Sequence, residues 1–240
     1  MILKKWQDLP IFVRNQETKK YYDILKKKKI QLIIKRTSDV ILSMLLLVLL
    51  FPVFIILSVA IKCESEGPVF YRQERITKYG KKFRIFKFRT MIQNADKTGD
   101  LVTVKNDNRI TKIGKLIRKC RLDELPQLIN ILEGDMSFVG TRPEVKKYVD
   151  KYTDEMKATL LMPAGVTSIA SIKYKDEDNI ISKYLSNGEK IDDIYMKRVL
   201  PEKMKYNLEY IKKFSIFKDI LVCLNTIGAV IQIKKDKIEG

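Results

Sequence analysis

The sequence has no histidine, which removes the commonest general base and metal-ligating side chain. Any catalysis must therefore run on carboxylates, lysine, a hydroxyl or a thiol. Cysteine is scarce too: Cys63, Cys120 and Cys223 are odd in number, far apart and form no CxxC pair. They argue against a disulfide framework and against a zinc site, and fit a reducing compartment. Acidic residues are outnumbered, 29 against 47 Lys+Arg, for a net charge of +18. Such an excess suits nucleic acid, an anionic membrane surface or a polyanionic substrate. No repeat or low-complexity tract is visible, and 240 residues fit one domain with a modest appendage.

What is present is organised around the run from Arg118 to Glu144. Asp123 and Glu124 are adjacent, and Leu125, Leu128, Ile129 and Leu132 follow at i, i+3, i+4 and i+7, one apolar helical face. Pro126 is tolerated only in a first turn, so a helix is expected to begin near Leu122 to Leu125 and to end at Gly134. Two carboxylates at a helix N-terminus, with Arg118 before and Arg142 after, suggest phosphate chemistry. The plainer reading is a capping pair with no chemical role.

Val40 to Ile61 is a run of 22 residues without a charge. At about 1.5 Å per residue it is long enough for a bilayer core of roughly 30 Å. Both flanks are basic: Lys26–Lys29, Lys35 and Arg36 precede it, and Lys62, Arg72, Arg75, Lys78, Lys81 and Lys82 follow. A simple span would put one cluster on the wrong side, whereas a helix bent at Pro52 could dip into one leaflet and return. The re-entrant hairpin is the expectation.

Beyond it, Val69–Arg75 and Lys82–Met91 read as strands around a turn at Lys78–Lys81. Residues 94–110 read as a polar loop with a turn at Asp107–Arg109, and Ile110–Leu122 as an amphipathic helix. A basic helix is expected between Glu144 and Leu161, a Pro/Gly loop over Met162–Ser168, and a solvated acidic turn at Asp176–Asp178. From Pro201 an amphipathic helix carries Leu208, Ile211, Phe214 and Phe217. The apolar tail Ile220–Ile233 is left to the core or the membrane surface.

The order of motifs resembles the bacterial sugar transferases, the small monotopic phosphoglycosyl transferases that begin surface-glycan assembly. The resemblance rests on Gly67-Pro68-Val69-Phe70-Tyr71-Arg72-Gln73, Phe86-Lys87-Phe88-Arg89-Thr90-Met91, Leu122-Asp123-Glu124-Leu125-Pro126-Gln127-Leu128, Gly134-Asp135-Met136-Ser137 and Arg142-Pro143-Glu144. It covers Lys35 to Tyr174 and, more faintly, the C-terminal helix. The chain has Thr141 and Phe51 where the family often has proline and serine, and matches a Pro-Gly-Ile-Thr-Gly loop only loosely at Pro163–Ser168. It also lacks the multi-pass N-terminal region of larger relatives, which fits the minimal form.

The resemblance implies transfer of a phosphosugar from a UDP-sugar to polyprenyl (undecaprenyl) phosphate with release of UMP. Asp123 would be the nucleophile, forming an aspartyl-phosphosugar, and Glu124 would help hold Mg²⁺. Arg118, Arg142, Lys87 and Arg89 would serve phosphate oxygens, with Thr141, Pro143 and Glu144 near the nucleotide. The expected fold is α+β: a mostly helical catalytic domain over 62–200 with a small β-hairpin, a basic flank over 1–39, a membrane-inserted helix over 40–61 and a helical region over 201–240. The expected location is the bacterial inner membrane facing the cytoplasm, with membrane lipids as partners, no nucleic acid, and self-association left open. The other reading is a membrane-anchored basic binding or scaffold protein of a polysaccharide-assembly complex.

Overall fold

The computed structural model describes residues 3–95, 107–174, 181, 184, 185 and 189–236, with side chains as far as 229. Asp176–Asp178 and most of the polar loop lie outside them. The described residues are mostly helical with two small sheets, as an α+β reading requires.

The basic N-terminal flank is helical and packs into the core. Helix α1 (Gln16–Lys27) is capped by Asn15, whose side chain accepts from the Thr18 N–H at 2.8 Å. It buries Thr18, Tyr21, Tyr22 and Leu25, the i, i+3, i+4, i+7 stripe of an amphipathic helix. That stripe joins Val13 and Leu32 in one core with Tyr148, Leu161, Leu200, Ile211 and Phe214.

Helix α2 (Lys29–Leu49) and helix α3 (Phe51–Glu64) meet at Leu50 with a bend of 61°. Pro52 sits in the first turn of α3, where no intrahelical hydrogen bond is lost, so it starts a helix rather than kinking one. No single helix among the described residues is long and apolar enough to cross a membrane, and this bent pair meets the length and composition criteria only jointly. Around the bend Val48, Leu49, Phe51 and Ile56 all stand exposed.

Strands β1 (Phe70–Ile76) and β2 (Lys82–Phe88) form the expected antiparallel hairpin, with Phe70 opposite Phe88 and Ile76 opposite Lys82. The turn takes Tyr79 and Gly80 into positive φ, 60° and 76°. Phe83, Ile85 and Phe88 are buried. Helix α4 (Lys112–Lys119) leads into helix α5 (Gln127–Glu133), which Gly134 ends at φ 87°.

Three expectations need correction. The basic helix between Glu144 and Leu161 is instead a four-residue helix α6 (Lys146–Val149) and a separate 3-10 turn, Met156–Leu161. The Pro/Gly loop contains strand β4 (Ala164–Thr167), which pairs in parallel with β3 (Met136–Val139). The two strands close up where Gly140 and Gly165 face each other: a Cβ on Gly165 would collide with the backbone of Gly140. Finally, Leu208, Ile211 and Phe214 bury at helix α9 (Leu200–Lys212) and just past it, but Phe217 is 70% exposed. The chain turns after Lys212 and begins a new helix, α10 (Ile216–Asp236); the earlier short helices are α7 (Ile169–Lys173) and α8 (Ile191–Ile194).

Candidate active site

The adjacent carboxylates lie between two changes of chain direction. Arg121, after the end of α4, adopts a left-handed backbone, φ 57°, which is costly for a residue with a Cβ and concentrates at functional sites. The 3-10 turn Leu122–Glu124 follows, and α5 begins only at Gln127, with Pro126 ahead of it. Asp123 and Glu124 therefore stand before the helix, not in its first turn. Its most buried residues are also not the full predicted stripe: Gln127, Leu128, Asn130 and Ile131 are buried, while Ile129 and Leu132 are only half-buried.

Two cations converge on Glu124. Arg142 Nη2 donates to Oε1 at 2.5 Å and Lys87 Nζ donates to the same oxygen at 3.1 Å. Lys87 Nζ is also 3.9 Å from Asp123 Oδ2. Asp123 is only 9% exposed, and its Oδ1 has no hydrogen-bond partner among the described residues.

The neighbouring carboxyls consequently behave in opposite ways. Burial disfavours ionisation of Glu124, but Arg142 and then Lys87 outweigh it and hold the carboxyl well below its usual range. For Asp123, burial dominates: Lys87 opposes it, the Glu124 charge adds to it, and the carboxyl is pushed up. The Arg142 guanidinium is held charged chiefly by Glu124, while burial pushes the Lys87 ammonium down against the pull of Glu124.

A cavity of about 580 Å³ opens beside Asp123, walled by Tyr71, Arg72, Gln73, Phe88 and Arg118 among others. Lys87 and Arg89 also reach its lining. Arg118 faces the cavity and adds a positive field at Asp123. Arg89 is placed differently from Lys87: its Nη2 donates to Ser65 O at 2.6 Å and Oγ at 3.0 Å, just beyond α3, and its buried Nε and Nη1 have no hydrogen-bond partner among the described residues. The structure thus brings Asp123, Glu124, Lys87 and Arg142 together with Arg118 on one wall.

Thr141, Pro143 and Glu144 do not line that cavity; they border a separate pocket of about 10 Å³. Glu144 accepts from Tyr195 OH at 2.5 Å, and Pro143 O accepts from Arg75 Nη1 at 3.3 Å. Pro52 lies in α3, outside both linings. Sequence reading missed Arg75, Tyr195 and Asn130. Only Asn130 carried a signal, as an amide set inside the apolar run of Leu128, Ile129, Ile131 and Leu132.

The family model for bacterial sugar transferases matches residues 30–233. The chain belongs to the bacterial sugar transferase family. Among the relatives of this sugar transferase, an Aeromonas hydrophila protein is named UDP-N-acetylgalactosamine-undecaprenyl-phosphate N-acetylgalactosaminephosphotransferase. It is 34% identical over 201 residues, 82% of this chain and 44% of that protein. A Klebsiella pneumoniae protein, UDP-glucose:undecaprenyl-phosphate glucose-1-phosphate transferase, is 33% identical over 204 residues, 82% of the chain and 40% of its own length. A Caulobacter vibrioides protein of the same name is 32% identical over 200 residues, 82% and 69% respectively. The chain spans less than half the length of the first two.

Proposed function

We propose that this sugar transferase moves a sugar phosphate from a UDP-sugar to undecaprenyl phosphate, releasing UMP, as the first membrane step of capsule, exopolysaccharide, O-antigen or glycoprotein glycan synthesis. The observation that carries the proposal is the asymmetry of the carboxylates: two cations hold Glu124 through Oε1, while Asp123 Oδ1 is buried beside a cation-lined cavity and has no hydrogen-bond partner among the described residues. The relatives' names point to the same donor and acceptor classes.

In the first half-reaction a carboxylate oxygen of Asp123 attacks the β-phosphorus, forming an O–P bond as the bond to the UMP oxygen breaks. UMP leaves, and an aspartyl-phosphosugar remains. In the second, a phosphate oxygen of the polyprenyl carrier attacks the same phosphorus and frees the carboxylate. Carboxylates are established covalent nucleophiles. Arg118, Lys87 and Arg142 supply positive charge beside the transferred group.

The residues fit Mg²⁺ as a shared ion. Among the described residues no three His, Cys, Asp or Glu side chains cluster as a metal cage. Magnesium is typically held by one or two carboxylates plus substrate phosphates and water. Both cation contacts to Glu124 fall on Oε1, so Glu124 would hold the ion through Oε2. When bound, the ion neutralises diphosphate charge.

The bent α2–α3 pair, exposed and apolar around Leu50 with basic residues on both flanks, supports anchoring by a re-entrant hairpin in the inner membrane. Such an anchor keeps the site on the cytoplasmic side, where the carrier's phosphate lies. The deciding assay is UMP release from a UDP-sugar panel with Mg²⁺ and polyprenyl phosphate, with Asp123→Asn in parallel. UMP that depends on Asp123 is expected. Release of UDP would overturn the phosphosugar mechanism, and Asp123-independent membrane binding with no turnover would favour a scaffold.

A further inference from the structure

Among the described residues, helix α5 hydrogen-bonds the hairpin through the side chain of Asn130. Asn130 is fully buried, in a helix whose Leu128 and Ile131 pack with Phe83, Ile85 and Met136. Its Oδ1 accepts from the Phe86 N–H at 2.8 Å, and its Nδ2 donates to the Arg84 carbonyl at 3.0 Å. In a strand, residues i and i+2 present their backbone groups to the same edge. On the other edge of β2 the partner is β1. The carboxamide of Asn130 thus does for the α5-facing edge what a peptide group of another strand would do, with one acceptor and one donor matched to one donor and one acceptor.

Phe86 is the residue before Lys87, and Asn130 lies six positions after Glu124. The bidentate contact therefore fixes β2 relative to α5 at the point where Lys87 must reach across to Glu124 at 3.1 Å and Asp123 at 3.9 Å. An apolar contact between the same elements would tolerate sliding, because dispersion is non-directional; paired hydrogen bonds do not.

We propose that Asn130 is a positioning residue for the transfer reaction: it registers β2 on α5 so that the Lys87 ammonium sits against the Asp123–Glu124 pair. The proposal rests on the transferase reading above only for its kinetic consequence; the registration itself is independent of it. Asp at position 130 keeps the shape but sets a carboxylate oxygen against the Arg84 carbonyl. Gln keeps the amide but adds a methylene that displaces it.

The test compares full-length wild type in detergent micelles with Asn130→Asp, Asn130→Gln and the packing control Ile131→Val. Lys87 is followed by acetic anhydride labelling and mass spectrometry, and turnover by UMP release. Lys87 labelling should rise several-fold in Asn130→Asp and Asn130→Gln and stay unchanged in Ile131→Val. Turnover should fall roughly 10- to 100-fold in kcat with a smaller change in KM, since an ångström of misplacement costs about that much. The Asn130→Asp and Lys87→Met losses should not multiply, because the double variant has no ammonium left to misplace. Unchanged Lys87 labelling, or losses that multiply in the double variant, would overturn the proposal. If wild type turns over no donor while Lys87 labelling still rises, the registration stands and the transferase reading fails.

Discussion

Arg142 Nη2 lies 2.5 Å from Glu124 Oε1 across 18 residues of sequence, and this contact makes two adjacent carboxylates unequal. With Lys87 on the same oxygen, Glu124 is held charged, whereas Asp123 next to it keeps a buried oxygen with no hydrogen-bond partner among the described residues. Environments that push neighbouring carboxyls apart mark separate roles.

Neutralising the two carboxylates should therefore give different outcomes. Asp123→Asn should abolish UMP release, by at least about 1,000-fold in kcat, as loss of a nucleophile does. Its melting temperature should hold or rise, because a raised carboxyl pKa means that the ionised form costs folded-state free energy above that pKa. Glu124→Gln should lower stability by about 2–4 kcal/mol, since it leaves Lys87 and Arg142 facing each other without their anion. Calorimetry on both variants checks this; equal stability would contradict the asymmetry.

Arg142→Lys should be a poor substitute. A lysine reaches Glu124 as a point charge without the guanidinium fork, and about a third of the Arg142 side chain is exposed, which moderates the stability cost. The expected cost is about 1 kcal/mol of stability, smaller than for Glu124→Gln, with a larger drop in kcat. Thermal unfolding beside steady-state kinetics separates the two effects.

The pH profile follows from Asp123. An attacking carboxylate must be ionised, and burial raises its pKa above the ordinary value of about 3.9. The acid limb of kcat/KM should accordingly lie above that value. Lys87 opposes the shift, so Lys87→Met should move the limb to still higher pH while lowering the rate. An acid limb that stays put in this variant would exclude Asp123 as its source.

Gly165→Ala should destabilise the protein by about 1–3 kcal/mol or more, because the added methyl meets the Gly140 backbone rather than a yielding side chain. The parallel β3–β4 pair would have to open. Since Gly165 N donates to Thr141 O at 2.8 Å, the loop carrying Arg142 should loosen with it, measurable as faster amide exchange at Gly165.

Much of this site could be read from residue order. The hairpin followed from its alternation and from Tyr79-Gly80, and the helix end from Gly134. The parallel pair did not, because β3 and β4 are four residues each, too short for periodicity to distinguish from loop. Glu144 looked like part of a ligand-facing motif next to Arg142, yet it turns inward to Tyr195, a partner 51 residues away that no local pattern announces. Arg89 shared its strand signal with Lys87, but its Nη2 goes to Ser65 beyond α3. Side-chain direction at a strand end depends on what packs there, and that is tertiary information.

One further contact sets a length scale. Arg36, in α2, donates from Nη1 to Ile131 O at 2.5 Å and from Nη2 to Leu132 O at 2.8 Å, so the last turn of α5 is bolted to the helix that runs on to the bend at Leu50. From Arg36 to Leu50 that helix measures roughly 21 Å at 1.5 Å per residue. Under the re-entrant reading α2 is then a ruler: it holds the carboxylates at a set height above the apolar turn. One residue inserted between Arg36 and Leu50 would lengthen it by about 1.5 Å and rotate everything beyond by about 100°. The apolar turn would face a new direction, and the reacting phosphates would no longer meet at one level.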